Sequence, residues 1–355
     1  MTPLERLLRG EIEAMGPIRL DYFMASCLMH PKHGYYATRD PFGAAGDFTT
    51  APEISQMFGE LIGLSLAQAW LDQGSPSPFA LAELGPGRGT LMADALRATR
   101  SVPGFHDALH LHLIEASATL RGVQAETLGH AAPTWHDAAD SLPQMPLFLV
   151  ANEFFDALPI RQFVRDEEGW REHLVGVEKT RLTLGLGAPV PVADLDHRLA
   201  DTRAGDVVEL PSAIGPVMRA TSERIANHGG AALIIDYGDW RSLGDTLQAV
   251  QGHTPVDILA TPGQADLSAH VDFEALAQAI APGTAHSRLT SQGVYLSRLG
   301  ITQRAEALAR SMTDDQLKSH HAAFHRLTDP VEMGTLFKVM AVYPDTAAPP
   351  PGLDP

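Results

Sequence analysis

The sequence is poor in the residues on which several classes of protein depend. It has one cysteine, Cys27, among 355 residues, which excludes an internal disulfide and any zinc site built from several cysteines. No apolar run approaches the roughly 20 residues that a membrane-spanning helix needs. Lys and Arg number only 26 against 43 acidic residues, and the net charge of −17 repels nucleic acid and anionic lipid. We therefore expect no nucleic-acid substrate and no membrane insertion.

The residues that are present favour a globular chain. A hydrophobic content of 45% over 355 residues can bury a large core, and it excludes a disordered or fibrous chain. The 16 histidines show no tight ligand spacing, so we expect no metal site. Residues 1–15 carry acidic side chains that fit neither a signal peptide nor a transit peptide, so we expect a cytoplasmic protein. The negative charge favours a cationic protein partner, although acidity also serves solubility alone.

Short apolar runs alternate with helical stretches from residue 79 onward. This alternation is typical of βαβ units and predicts a parallel sheet, whose doubly covered strands are continuously apolar. The predicted strands cover residues 79–84, 109–115, 146–151 and 231–236. Two further strands, predicted over 293–299 and 336–343, would close the sheet as an antiparallel pair. The chain is therefore predicted to be a doubly wound α/β protein.

Two segments depart from this alternation. Helical patterns precede the first strand, where Thr50 and Glu53 have the spacing of a capping box ahead of a strong helix. Alternating polar and apolar residues predict an antiparallel hairpin within 163–186. The predicted organisation is a helical N-terminal lobe (1–75), a main domain (76–345) with an insertion at 164–228, and a flexible proline-rich tail (346–355).

A glycine-rich turn, Glu83-Leu84-Gly85-Pro86-Gly87-Arg88-Gly89, follows the first predicted strand. Gly85, Gly87 and Gly89 let the backbone approach a ligand closely, because no Cβ intervenes. The dinucleotide fingerprint requires a glycine where Thr90 stands, so an NAD(P)-dependent oxidoreductase is a disfavoured alternative. Glu83 supplies an acidic neighbour for an α-amino group. The turn therefore predicts a site for S-adenosylmethionine (SAM); a turn that only packs a helix on a strand is the structural alternative.

Acidic residues follow the next two predicted strands. Glu115 ends one of them and could accept both ribose hydroxyls of a nucleoside, whether of SAM or of NAD. Asp137 is placed to bind the adenine amino group, with Trp135 or His136 beside the ring. An ordinary helix N-cap explains Asp137 equally well.

The run Asn152-Glu153-Phe154-Phe155-Asp156 follows the fourth apolar run. Ligands of open α/β sheets bind beyond the carboxyl ends of the strands, so Asn152, Glu153 and Asp156 are candidate catalytic residues. Methyl transfer to nitrogen requires alignment of the acceptor and control of its proton. Because carboxylates match the guanidinium fork, Glu153 and Asp156 could hold an acceptor arginine. Alternatively, they cap the next segment and bind Arg161 locally.

Five blocks of the sequence together resemble the MidA-like family, bacterial relatives of a mitochondrial complex I assembly factor that resembles a protein arginine methyltransferase. The likeness runs from about residue 3 to residue 343. The blocks at 46–56 and 152–159 are the most specific. The five are GYY at 34–36, GDFTTAPEISQ at 46–56, ELGPGRG at 83–89, NEFFDALP at 152–159 and DLSAHVDF at 266–273.

The resemblance implies a class I SAM-dependent methyltransferase with a Rossmann-like, seven-stranded, mostly parallel sheet and an N-terminal lobe that closes over the cofactor. It implies symmetric dimethylation of an arginine on a respiratory complex I subunit. Asp47, Phe48 and Thr50 would line the cofactor pocket. Asn152 and Glu153 would face the acceptor, and His270 and Asp272 could bind it, although Asp272 equally fits an ordinary helix start.

Two functional hypotheses follow besides the disfavoured oxidoreductase. The first is a protein arginine methyltransferase that acts during complex I assembly. The second is a non-catalytic assembly chaperone that keeps the fold and binds a respiratory subunit. In the first case the expected partner is a protein that bears the acceptor arginine. A homodimer is also expected.

Overall fold

The computed structural model describes residues 1–38 and 50–355. The chain divides into two compact units. Unit 1 comprises Met1–Phe48, Asp156–Ile214 and Asp239–Ala275. Unit 2 comprises Thr49–Phe155, Gly215–Gly238 and Leu276–Pro355. Each unit is therefore assembled from segments that are distant in sequence.

The strands of the described residues are, in chain order, β1 (Ile18–Arg19), β2 (Phe79–Leu84), β3 (Leu109–Ile114), β4 (Thr134–His136), β5 (Leu147–Asn152), β6 (Ile160–Asp166), β7 (Gly169–Glu178), β8 (Arg181–Leu186), β9 (Val207–Pro211), β10 (Gly230–Asp239), β11 (Gln248–Gln251), β12 (Thr254–Val256), β13 (Asp266–Ser268), β14 (Val271–Asp272), β15 (Thr284–His286), β16 (Thr290–Ser291) and β17 (Phe337–Pro344).

The α-helices of the same residues are, in chain order, α1 (Pro3–Met15), α2 (Leu20–Met29), α3 (Tyr35–Thr38), α4 (Ala51–Ile54), α5 (Gln56–Asp72), α6 (Thr90–Ala98), α7 (Phe105–Ala108), α8 (Ala118–Leu128), α9 (Ile214–His228), α10 (Phe273–Gln278), α11 (Gln292–Arg298), α12 (Ile301–Ala309), α13 (Asp314–Thr328) and α14 (Met333–Leu336).

In its described residues, unit 1 contains two antiparallel sheets and the N-terminal helices α1, α2 and α3. One sheet has the order β1-β7-β6-β9 with β8 beside β7, and the other has the order β12-β11-β13. Helix α1 starts with a capping box between Thr2 and Glu5, and its buried stripe is Leu4, Leu8 and Ile12. This stripe joins a core that also contains apolar residues of α2, β7 and β13. The predicted hairpin is present as β6 and β7.

Unit 2 is built around a sheet with the strand order β15-β17-β10-β5-β2-β3-β4. Strands β10, β5, β2, β3 and β4 are parallel to one another, and β17 is antiparallel to both β10 and β15. Every residue of β2 and β5 is buried, as expected for strands covered on both faces. The predicted α/β fold with a mostly parallel sheet is confirmed; in the described residues the sheet has nine strands, of which these seven form the main path and two short ones lie off it.

Aromatic side chains fill the core between α5 and the sheet of unit 2. The ring centroids of Trp70 and Phe79 are 5.6 Å apart, and Phe79 contacts Phe148 on the neighbouring strand at 5.5 Å. Phe105 lies 5.3 Å from Trp70. All four rings are at most 2% exposed, so α5 is fixed to the strand that leads into the glycine turn.

The predicted strand over 293–299 is wrong. Residues Gln292–Arg298 form helix α11, and the antiparallel neighbour of β17 at the sheet edge is β15. Tyr295 and Leu296 are both fully buried. Two adjacent side chains can reach one core from a helix, whereas a strand would direct them to opposite faces.

The predicted domain boundaries differ from the division of the structure. Helix α5 lies within the predicted 1–75 lobe but belongs to unit 2, because its apolar side chains pack on the parallel sheet. The segment predicted as an insertion divides likewise, with most of α9 in unit 2. The tail 346–355 was predicted to be flexible, but Leu353 is 8% exposed and the Pro351 carbonyl accepts a hydrogen bond from Ser65. Prolines prevented regular structure there without preventing packing.

Candidate active site

The glycine turn connects β2 to α6 in a left-handed backbone conformation. Gly85, Gly87 and Gly89 have φ values of 60°, 53° and 82°. The Gly85 N–H donates to the Ile114 carbonyl on β3 at 3.0 Å, and the Gly89 N–H donates to Pro86 at 2.7 Å. Residues with a Cβ rarely adopt this conformation, so the backbone itself requires the three glycines.

Phe154 covers one side of this turn. A Cβ built on Gly85 would lie 2.9 Å from the Phe154 Cδ2 atom, whereas one on Gly89 would meet Gln124 and Leu128 at an ordinary 3.6 Å. Gly85 is therefore fixed by both its conformation and its neighbour. Sequence reasoning gave Phe154 no role at this position.

Glu83 is a buried carboxylate at the end of β2. Its side chain is 3% exposed, and its Oε2 atom has no hydrogen-bond partner among the described residues. Burial raises the pKa of Glu83 to about 8. By strand alternation Glu83 shares a sheet face with Phe79 and Leu81. A buried carboxylate with an unsatisfied oxygen is suited to an ammonium group, such as the α-amino group of SAM.

Glu115 lies directly after β3 and is held by its neighbours. Its Oε1 accepts the Ser117 N–H at 2.7 Å, and its Oε2 accepts a hydrogen bond from Gln124 at 3.2 Å. Burial raises the pKa of Glu115, and these two hydrogen bonds and the charge of Arg121 act to lower it. The carboxylate is thus oriented beside the helix that packs on the glycine turn. Sequence reasoning missed Gln124, whose signal is a polar residue within the buried stripe of α8.

Asp137 has a more exposed position than the adenine hypothesis implies. Its side chain is 88% exposed and forms an ion pair with Arg121. The Asp137 side chain does not cap the short 3₁₀ helix that follows, so the N-cap alternative has no support. Trp135 donates its indole N–H to Gln124 at 2.8 Å, and the His136 Nε2 lies 2.9 Å from His112 Nδ1. Adenine binding by Asp137 stays a prediction.

The turn after β5 contains a strained acidic residue. Glu153 has a φ of 52°, which is uncommon for any residue except glycine. Its Oε1 accepts hydrogen bonds from the Ala51 N–H and from the Asn152 side-chain amide, both at 3.0 Å. Asn152 is 7% exposed, and its Oδ1 has no hydrogen-bond partner among the described residues. Backbone strain and an unsatisfied buried acceptor in one turn are typical of a functional site.

Sheet register places this turn beside the glycine turn. Glu83 pairs with Val150, and Leu84 pairs with Ala151, so Gly85 and Asn152 come next on adjacent parallel strands. Val150 and Asn152 share the sheet face of Glu83 by alternation. The acidic end of β2 and the polar end of β5 therefore meet on the side of the sheet where the parallel strands have their carboxyl ends. We call this side the carboxyl edge.

Asp236 on β10 stabilises the turn after β5 through hydrogen bonds to its backbone. Its Oδ2 accepts the N–H groups of Phe154 at 3.2 Å and Phe155 at 3.0 Å, and its Oδ1 accepts the Tyr237 N–H at 3.0 Å. Asp236 is fully buried. One carboxylate thus fixes three backbone donors at the carboxyl ends of β5 and β10. The only sequence signal was an acid at the end of an apolar run.

Thr50 directly precedes helix α4, but the predicted capping box is wrong. The Thr50 side chain makes no cap hydrogen bond, and Glu53 instead accepts the Thr90 hydroxyl at 2.5 Å. The long helix α5 starts later, with Ser55 as its N-cap. The segment is thereby tied to the glycine turn through Thr90. Asp47 and Phe48 lie outside the described residues.

Asp156 belongs to unit 1. Its carbonyl accepts the Ala269 N–H at 3.0 Å, and its negative charge is one of the causes, after burial and Asp266, that raise the pKa of Tyr36. Arg161 pairs with Glu172 through two contacts of 2.7 Å, so the alternative that placed Arg161 with Glu153 and Asp156 is not supported. The catalytic role of Asp156 stays a prediction.

Asp272 accepts the Ala275 N–H at 2.9 Å and the Ser242 N–H at 3.1 Å. These bonds match the ordinary helix start.

Within the described ranges, no group of three or more His, Cys, Asp or Glu residues could hold a metal ion. Every helix of those ranges is too short or too polar to span a bilayer.

The residues at this edge of the unit 2 sheet fit SAM. The glycine turn offers bare backbone, Glu83 offers an unsatisfied carboxylate oxygen, and Glu115 offers an oriented one. When bound, SAM supplies an electrophilic methyl group on a sulfonium. The chain supplies the site that binds its charged and hydroxylated ends.

The chain belongs to the family described as "putative S-adenosyl-L-methionine-dependent methyltransferase", whose model matches residues 61–291. It is 36% identical to the mitochondrial protein arginine methyltransferase NDUFAF7 homolog of Drosophila melanogaster, over 97% of this chain and 86% of that protein. It is 34% identical to protein arginine methyltransferase NDUFAF7 of Homo sapiens, over 97% of this chain and 84% of that protein.

Solved structures are consistent with this assignment. A Burkholderia thailandensis protein bound to S-adenosyl-homocysteine superposes with a TM-score of 0.84 at 31% identity, covering 99% of this chain and 92% of that one. A native structure from the same organism has a TM-score of 0.80 at 29% identity, with the same coverage. The protein is a SAM-dependent methyltransferase, as predicted, and the oxidoreductase alternative has no support.

Proposed function

We propose that this methyltransferase transfers the methyl group of SAM to an arginine side chain of a protein. The main support for this proposal comes from the turn after β5. There the Glu153 carboxylate and the unsatisfied Asn152 Oδ1 lie beside the glycine turn. Guanidinium is always charged in water and offers a planar fork of N–H donors. Two oxygen acceptors at this edge suit such a group. The names of the curated relatives support the same acceptor.

In this proposal, Glu153 attracts the guanidinium and orients the nitrogen that attacks the methyl carbon. The Glu153 backbone is fixed by strand β10 through its N–H to the Ile235 carbonyl at 2.9 Å, and its carboxylate is fixed by Ala51. Such fixed placement supplies the alignment that an in-line displacement needs. As the bond from the attacking nitrogen to the methyl carbon forms, the bond from that carbon to the sulfonium sulfur breaks and the neutral thioether leaves. The nitrogen passes one proton to the Glu153 carboxylate.

The finer proposal follows the family resemblance. The acceptor is an arginine on a respiratory complex I subunit, modified to symmetric dimethylarginine during assembly in the bacterial cytoplasm. A homodimer is part of this proposal, and size-exclusion chromatography with light scattering tests it. The N-terminal lobe that closes over the cofactor also stays a prediction.

The test is methyl mapping by mass spectrometry. Proteins from a native host that lacks this chain are incubated with the purified protein and SAM carrying a labelled methyl group. Labelled methylarginine is the expected product, and the Glu153→Gln variant should bind SAM without producing it. A methyl group on another residue type would refute the arginine proposal. Stable capture of a respiratory subunit without any methyl mark would favour the chaperone.

A further inference from the structure

Gln124 is a fully buried amide in the middle of helix α8. It is 0% exposed and lies between Leu120 and Leu128 in the buried stripe of the helix. Burying an amide without hydrogen bonds is costly, so an apolar residue would be the simpler choice for packing alone. The hydrogen-bond partners of the amide should therefore explain why a glutamine stands at this buried position.

The amide joins three parts of the cofactor site. Its Nε2 donates to the Gly87 carbonyl at 2.8 Å and to the Glu115 Oε2 at 3.2 Å. Its Oε1 accepts the Trp135 indole N–H at 2.8 Å. Both N–H donors of the side chain and its acceptor are thus used. The partners belong to the glycine turn, the segment after β3 and strand β4.

We propose that Gln124 is the positioning residue of the cofactor site, which fixes the glycine turn, the Glu115 carboxylate and the Trp135 ring in one arrangement before SAM binds. It acts on the cofactor through these neighbours. This inference does not depend on the identity of the methyl acceptor. It rests on the cofactor alone.

Gln124 also bears on the charge of Glu115. The groups around that carboxylate include the Ser117 N–H and Arg121, whose guanidinium binds the Glu115 main-chain carbonyl and the Asp137 carboxylate. From β4, the His136 carbonyl accepts the Glu115 N–H, and the pKa of His136 is itself lowered, mainly by burial. Burial raises the pKa of Glu115 and the Gln124 bond lowers it. Removing the amide should therefore protonate Glu115 at a higher pH.

The experiment is calorimetric titration of the full chain with SAM from about pH 4.5, near the ordinary pKa of a glutamate, to about pH 9. Gln124→Met keeps the volume and removes all three hydrogen bonds. We expect about tenfold weaker SAM binding, the effect of about 1.4 kcal/mol, and an acid limb of the binding profile shifted to higher pH. Gln124→Glu keeps an acceptor for Trp135 but places a carboxylate against Glu115, so it should bind SAM more weakly still at neutral pH.

The matched control is Gln292→Met. Gln292 is also 0% exposed, and its Nε2 donates to the Leu327 carbonyl at 2.9 Å on another part of unit 2. This control should lower the melting temperature without changing SAM affinity or its pH profile. Unchanged SAM affinity or an unshifted profile in Gln124→Met would overturn the proposal. If Gln124→Met does not fold, wild-type affinity in Gln124→Glu would overturn it instead.

Discussion

The two turns at the carboxyl edge of the parallel sheet reach similar backbone conformations by different means. The turn after β2 uses glycines at φ values of 60°, 53° and 82°, which carry no steric penalty. The turn after β5 places Glu153 at φ 52°, where a side chain costs free energy. Asp236 and Ala51 stabilise the second turn through hydrogen bonds from outside it. One conformation is intrinsic to its residues, and the other is imposed by its surroundings.

This difference matches the tasks that we propose for the two turns. A ligand that lies against the backbone needs side chains removed, which glycine achieves alone. A reacting acceptor needs a side chain presented at a fixed angle, so Glu153 keeps its carboxylate and other residues counter the strain. Substitutions that add side-chain atoms should therefore disrupt the first turn. Substitutions that remove hydrogen bonds from outside should disrupt the second turn.

The largest effect is expected for Gly87→Val. A β-branched residue at φ 53° is strained, and its side chain would occupy the space where SAM contacts the backbone. SAM binding should become undetectable by calorimetry. Gly104→Val is the control, since Gly104 has φ 75° but precedes β3 at the opposite edge of the sheet. That control should lose stability and keep SAM affinity. Wild-type SAM affinity in a folded Gly87→Val protein would contradict the pocket assignment.

Glu153→Gln should separate binding from transfer. Glutamine keeps an oxygen for the Ala51 N–H but removes the negative charge that attracts a guanidinium. We expect kcat to fall by about 100-fold or more, within the range of a lost proton-handling group, with SAM affinity unchanged. The exposed Glu126→Gln should alter neither quantity. Equal turnover in Glu153→Gln would remove Glu153 from the active site.

Asp236→Asn should show how strongly the second turn depends on outside support. An amide has one acceptor oxygen, so at least one of the N–H groups of Phe154, Phe155 and Tyr237 loses its partner. We expect the free energy of unfolding to drop by about 2 kcal/mol in urea titrations. Asp239→Asn, whose exposed carboxylate accepts the Trp240 N–H at 2.7 Å, should lose much less. Similar losses in both variants would mean that Asp236 has no special role.

The smallest effect is a proton exchange at Glu83. Burial raises the folded-state pKa of Glu83 to about 8, above the unfolded value of 4.5. The folded apoprotein then binds more protons than the unfolded chain between these values, so its stability should fall as pH rises from about 4.5 to 8 and then level off. An ammonium group favours the ionised form, so SAM binding near pH 7 should release up to one proton.

Calorimetry in two buffers with different ionisation enthalpies measures this release. Glu83→Gln should abolish the proton release and make the fall of stability with pH less steep. The same enthalpy in both buffers with the wild-type chain would show that SAM binding does not ionise Glu83. Glu83 would then not be the group through which the first turn binds the ammonium group of SAM.

Sequence reasoning succeeded where local chemistry decides the outcome. The buried strand β2 and the glycines after it were predicted because apolar continuity and missing side chains are visible in the residues themselves. It failed for 293–299, where the burial of adjacent Tyr295 and Leu296 is a property of the surrounding core. It also could not find Gln124 or Asp236, since a buried polar residue is recognised only by the partners that the fold brings to it.

The sequence by itself determined that a parallel sheet would end in a bare, ligand-accepting turn flanked by carboxylates. It did so because strand periodicity and glycine conformation are local properties. Only the tertiary structure decided that helix α5 joins the unit 2 sheet, that Glu153 adopts a strained conformation and that Gln124 links Gly87 to Glu115. Those features depend on contacts between residues far apart in the chain, which no local pattern encodes.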